Sequence, residues 1–203
     1  MRTPNAVAPQ IMLIRHGEKP PHAPPPHGVS AHGERDAESL TVRGWQRAGA
    51  LASLFSPTVP KEHRHGLSVP SHLYACASRK HVSKRSRQTL TPLAKKLGIE
   101  VNEDFSSGEE DDLAKHAQQR TGAVLICWRH HSLHVLAQHV LGDHATYPTS
   151  WSEDRFDVVW VLDLDPATGQ YAFRQVAQEL LDGDVPHAAT APAGGGAPEL
   201  TAP

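Results

Sequence analysis

The stretch Gln10-Ile11-Met12-Leu13-Ile14-Arg15-His16-Gly17-Glu18 decides the fold. Residues 10–14 form a short apolar run, the pattern of a strand buried on both faces of a parallel sheet. The run stops abruptly at Arg15-His16-Gly17-Glu18. In open α/β sheets ligands bind at the carboxyl ends of the strands, so this charged cluster is a candidate site. Arg offers a planar, permanently charged fork that matches a phosphate. His offers a nitrogen nucleophile whose charge can change near neutrality. Gly lets the backbone come close to a ligand.

Downstream, residues 19–38 carry five prolines among several His and Gly, which excludes a helix or a central strand. The spacing predicts a long loop, placed to cover the cluster and help select what binds there. Residues 41–55 regain helical periodicity, with Val42, Trp45, Ala48, Leu51 and Phe55 on one stripe, Ser39 or Thr41 as cap and Pro57 as stop. A strand is expected at 72–76. A helix follows at 84–97, closed by Gly98 and kinked or bounded at Pro92. Residues 99–101 suit a short strand, and the acidic start of 109–119 suits a helix N-terminus. Residues 123–128 (AVLICW) read as the clearest buried strand, followed by a helix at 132–141 ending at Gly142. Residues 157–164 and 171–176 read as a terminal hairpin.

Strands alternating with helices give a fold class of α/β, a three-layer α/β/α sandwich whose mostly parallel sheet ends in an antiparallel edge hairpin. With 203 residues the chain suits one domain with tails: 1–9 short, 10–185 the domain, 186–203 a disordered Pro, Ala and Gly tail. The net charge of −2 argues against a dedicated nucleic-acid binder. No apolar run is long enough to span a bilayer, and the first ten residues lack the apolar core of a signal peptide. The two cysteines, Cys76 and Cys127, sit in apolar runs and read as buried thiols of a cytoplasmic protein rather than a disulfide pair. The 15 histidines fit no recognised zinc spacing, so no metal and no cofactor is expected.

Two further strand ends resemble the first. Strand 123–128 ends in Arg129-His130-His131-Ser132, and Lys84-Arg85-Ser86-Arg87 opens the helix after strand 72–76. Three strand ends, each delivering Arg or His, outline one oxyanion pocket, and a helix N-terminus there favours anions in any case. Arg87 reads as a solvated helix face, and His131 and His134 as groups outside the reaction itself.

These blocks, in this order, resemble the histidine phosphatase superfamily, the group that includes the phosphoglycerate mutases. The matching residues are Ile11 to Glu18, then Leu40-Thr41 with Gly44 and Ala48, then Arg85 and Thr89, then Leu125 to His130. The resemblance runs from about residue 10 to residue 180. It implies that His16 attacks phosphorus and carries a transient phosphohistidine. It implies that Arg15, Arg85 and His130 hold the phosphoryl oxygens, that no metal is needed, and that water then releases phosphate. Positioning and charge stabilisation dominate such chemistry.

Three departures from the family pattern follow. The proton-donating acid that the family places after the third strand falls here on Ser, within Asn102 to Ser107, so the candidate donors are Glu18, Glu109 and Glu110, or none where the leaving group is good. The second histidine is doubled as His130-His131, and the helix register favours His130. The inserted segments of the glycolytic mutases are absent, which favours hydrolysis over mutase activity. The expected substrate is a small-molecule or protein phosphate ester. The alternative is a phosphate- or phosphoprotein-binding module with weak turnover.

Overall fold

The computed structural model describes residues 8–59, 66–77 and 83–186. The terminal tails, apart from residues 8, 9 and 186, and His63, His65 and His81 lie outside the described residues.

Among the described residues six strands and four helices alternate. They are β1 (Gln10–Arg15), α1 (Val42–Phe55), β2 (Pro70–Ala75), α2 (Arg85–Leu97), β3 (Val101–Asn102), α3 (Glu110–Gln118), β4 (Ala123–Trp128), α4 (Leu133–Leu141), β5 (Val158–Leu164) and β6 (Tyr171–Ala177). The sheet runs β3-β2-β4-β1-β5-β6. The first four are mutually parallel, while β5 runs antiparallel to β1 and pairs with β6 as a hairpin. The chain is thus an α/β sandwich with an antiparallel edge.

Alternation along the buried strands sorts their side chains into two cores. Met12, Ile14, Leu125 and Cys127 face α1 and α2, meeting Leu51, Phe55, Leu90 and Leu93. Ile11, Leu13, Val124, Ile126 and Trp128 face α3 and α4, meeting Leu113, Leu133, Leu136 and Val140. Both β1 and β4 are buried at every position, as expected for central strands covered on two sides.

Local chemistry explains the ends. Thr41 is the cap of α1, its hydroxyl accepting from the Gly44 N–H at 3.2 Å. Gly98 closes α2 in the left-handed conformation, at φ 68°. Pro92 does not bound α2, which continues through it. Between β4 and α4 the residues His130–Ser132 form a separate 3-10 turn, so α4 starts one residue later than its pattern suggests.

One position departs from the periodic stripe of α1: Val42 is 61% exposed, and Gly44 and Arg47 occupy the buried face. The reason is steric and electrostatic. Gly44 meets the backbone of Glu18, where an added Cβ would lie 2.5 Å from the Glu18 carbonyl oxygen. Arg47 reaches under the same loop to the Glu18 carboxylate, at 2.8 Å.

Candidate active site

The site is assembled by strand register. Arg15 of β1 lies opposite Trp128 of β4 in a parallel pair. The next residues of each strand, His16 and Arg129-His130, therefore leave the sheet side by side. Helix α2 begins at the neighbouring strand end, with Arg85 as its first residue. His16, Lys19, Glu38, Arg85, Arg129 and His130 line one cavity of about 320 Å³. The expected convergence of three strand ends on one basic pocket is what the fold produces.

His16 is only 6% exposed. Its Nδ1 lies 2.7 Å from the Gly17 carbonyl oxygen, which can only accept, so Nδ1 carries the proton and donates it. Nε2 is left with a free lone pair. Burial pushes the His16 pKa down to about 3; the hydrogen bond to Gly17 opposes it, and the smaller effects of the Arg15 and Arg85 charges add to the fall. The ring is neutral at physiological pH, as a nitrogen nucleophile must be. The backbone beneath it is fixed: the Gly17 N–H donates to the Thr89 hydroxyl of α2 at 2.8 Å. This accounts for Thr89 in the fourth position after Arg85.

Arg85 is half-buried. Its Nη2 donates to the Ala37 carbonyl at 2.6 Å and its Nε to the Ser39 carbonyl at 3.3 Å. Desolvation lowers its pKa. His130 is held down to about 4, chiefly by burial and then by Arg15, so it too is neutral and carries one ring N–H. His131 also lines the cavity and packs edge-on against His130, with ring centroids 5.4 Å apart.

Arg15 is fully buried and does not line the cavity. Its Nη1 faces the Ser152, Glu153 and Arg155 carbonyls, and its guanidinium carbon lies 4.0 Å from the Phe156 ring centre. Its Nε and Nη2 have no partner. Desolvation brings its pKa down to about 10, which leaves it charged.

The three carboxylates singled out in the sequence do not line this cavity. Glu18 is gripped by Arg47 through both Nε and Nη2, with Arg43 at 3.2 Å. Glu109 accepts from the Ser106 N–H and hydroxyl, each at 2.6 Å. Glu110 is buried, accepting from the Trp128 indole at 3.0 Å and the Gly108 N–H at 2.9 Å. All three are tied down in loop and helix-start structure. The carboxylate that does line the cavity among the described residues is Glu38, at the end of the proline-rich loop. No periodicity marks it. It belongs to the segment that returns from that loop to Thr41, and only the fold brings it to His16.

The loop itself is ordered. Val29 N–H donates to the Leu40 carbonyl, Asp36 N–H to the Gly28 carbonyl, and the Trp45 indole to the Val29 carbonyl. With Phe156 and Asp154, its prolines Pro20, Pro21, Pro24 and Pro26 line a second groove of about 940 Å³. Lys19 and Arg85 are shared between groove and cavity.

The solved structure of the protein histidine phosphatase SixA complexed with tungstate is similar to this chain, with a TM-score of 0.53 over 83% of this chain and 97% of that one, at 16% identity. The two chains share a fold. A mycobacterial glucosyl-3-phosphoglycerate phosphatase in complex with VO3 also matches, at 11% identity and a TM-score of 0.46, over 82% of this chain and 96% of that one. No sequence-family model and no curated protein sequence matches the chain.

Proposed function

We propose that this protein is a phosphatase that hydrolyses phosphate monoesters through a phosphohistidine on His16. The observation that carries the reading is the pairing of a neutral, Nδ1-protonated His16 with Arg85 and His130 in one cavity. Nε2 of His16 attacks phosphorus. Arg85 and the ring N–H of His130 bind equatorial oxygens as charge builds there, and Lys19 and Arg129 add positive charge to the same wall. Arg15 supplies charge from behind. Water then attacks the phosphohistidine and frees phosphate.

The tungstate carried by the SixA structure is a tetrahedral oxyanion, of the shape this cavity would take. Its name as a protein histidine phosphatase keeps phosphorylated protein side chains beside small phosphate esters as substrates. Two buried free thiols suit a reducing, cytoplasmic setting. Among the described residues no helix is long and apolar enough to cross a membrane.

The test is hydrolysis of p-nitrophenyl phosphate across pH 5–8 without added metal, wild type beside His16→Ala. Turnover by the wild type alone supports the reading. Activity in neither, with vanadate still bound by the wild type, would replace it with that of an oxyanion-binding module.

A further inference from the structure

The proposed reaction needs a proton for the leaving oxygen, and the carboxylates nearest the signature in sequence are engaged elsewhere. We infer that Glu38, from the proline-rich loop, is the general acid of the first step and the general base of the second. The inference rests on the phosphohistidine reading above.

Glu38 is the carboxylate that shares the cavity with His16 among the described residues. Its side chain is 47% exposed, and its ion pair with Arg85 Nη2 is 3.8 Å long, beyond hydrogen-bond distance. The carboxyl group is therefore not spent on structure, in contrast to Glu18, Glu109 and Glu110. Its backbone is nevertheless fixed. The Glu38 N–H donates to Asp36 Oδ1 at 2.9 Å, and the Glu38 carbonyl accepts from the Lys84 N–H at 3.2 Å. Lys84 Nζ closes the circle on Asp36 Oδ2 at 2.9 Å. Arg85 binds the carbonyls on either side, those of Ala37 and Ser39. The guanidinium that grips the phosphoryl group thus also holds the backbone that presents the acid, so the two arrive as one unit.

The chemistry balances. The Nε2 lone pair of His16 forms the N–P bond. The ester P–O bond breaks, its electron pair goes to the leaving oxygen, and the Glu38 carboxyl proton follows it. In the second step Glu38, now a carboxylate, takes a proton from water as the new O–P bond forms. The P–Nε2 bond breaks and its pair returns to the ring. Enzyme and proton inventory are restored.

A leaving-group series separates this role from a structural one. With Glu38→Gln, kcat/KM for phenyl phosphate should fall about 10²–10⁴-fold, the range general acid catalysis supplies. For 2,4-dinitrophenyl phosphate, whose phenolate leaves unprotonated, the fall should be less than about threefold. Formate added to Glu38→Ala should restore part of the phenyl phosphate activity. An equal loss on every ester, or no loss on any, overturns the assignment while His16→Ala is inactive throughout. Turnover retained by His16→Ala would instead overturn the phosphohistidine reading, and this inference with it.

Discussion

The imidazole of His16 holds its Nδ1 2.7 Å from the carbonyl oxygen of Gly17, its own neighbour in the chain. The contact selects one tautomer and leaves Nε2 as the single nitrogen able to bond phosphorus. Rapid quenching of the wild type during turnover of a radiolabelled phosphate ester, into base, should therefore trap one phosphoryl group on Nε2 of His16. His16→Ala should trap none and lose at least about 10³-fold in kcat, since a nucleophile has no substitute in its site. Label that survives the His16→Ala change would locate the intermediate on another residue.

Arg85 meets the cavity with a charge that no carboxylate holds within hydrogen-bond distance. On the proposed reading Arg85→Ala removes a donor aimed at developing phosphoryl charge, and the expected loss in kcat/KM is about 10²–10³-fold. Arg87→Ala, two residues on, removes an exposed guanidinium paired with Glu103 at 2.5 Å and should change kcat/KM by less than about twofold. Equal effects from the two substitutions would mean that general positive charge, and not Arg85, is what the site uses.

The residues whose roles are local were legible in sequence. A cap at Ser39 or Thr41, of which the structure uses Thr41, Gly98 as helix stop and the unbroken burial of β1 and β4 all follow from near-neighbour chemistry. The pocket was legible because parallel strands end together, so that His16 and His130 could be placed at one edge without coordinates. The fate of each carboxylate was not. Glu18 stands beside the signature in sequence, but Arg47, 29 residues away, captures it. Glu110 reads in sequence as part of an acidic helix start and a candidate proton donor, but it is buried and accepts from an indole on β4. Glu38 reaches the cavity through a loop whose path depends on distant contacts such as the Trp45 indole on the Val29 carbonyl. Ion-pair choice is set by tertiary distances, which periodicity does not encode.

Gly44 and Gly17 are pressed backbone to backbone. A Cβ on Gly44 would stand 2.5 Å from the Glu18 oxygen and 2.9 Å from its nitrogen, and one on Gly17 would stand 2.8 Å from the Gly44 oxygen. No flexible side chain is available to move aside, so Gly44→Ala must shift the loop that follows His16. A displacement of about 1 Å in a reacting group costs on the order of 10²-fold. We expect Gly44→Ala to fold and to lose about that much in kcat/KM, read against its thermal unfolding curve. A folded variant with wild-type kinetics would show that the loop is not what positions His16.

Arg47 is 2% exposed and joins three segments: its own helix α1, the signature loop through Glu18, and the residues after β6 through Asp184 at 2.7 Å and Gln178 at 2.9 Å. The hydrogen-bonded pairing with Arg47 and the Leu180 and Leu181 N–H groups lower the Asp184 pKa against its desolvation. Removing the cation alone leaves two carboxylates without it, and breaking such a buried pair costs about 3–5 kcal/mol. Arg47→Met should therefore lower the urea midpoint by a corresponding amount. Arg47→Met with Glu18→Gln and Asp184→Asn should recover part of the loss, because the stranded charges are gone. No recovery would place the cost in packing instead of charge.

The same burial that keeps the His16 ring neutral makes the fold sensitive to acid. Its pKa is about 3 when folded and 6.5 in an unperturbed chain. Above pH 6.5 the ring is neutral in both states and contributes no pH dependence. As pH falls below 6.5 the unfolded chain takes up a proton that the folded ring refuses, so stability declines until the pH reaches the folded value near 3. Between pH 7 and pH 5 this single group should remove about 2 kcal/mol of stability. Other titrating groups such as Asp184, whose pKa is lowered, add their own slopes, so the test is a difference. Urea unfolding of wild type and His16→Ala at pH 7 and pH 5 should show the variant losing about 2 kcal/mol less over that interval. Parallel losses in the two proteins would mean that His16 becomes protonated in the folded state well above pH 3, and that Nε2 is not held free by burial.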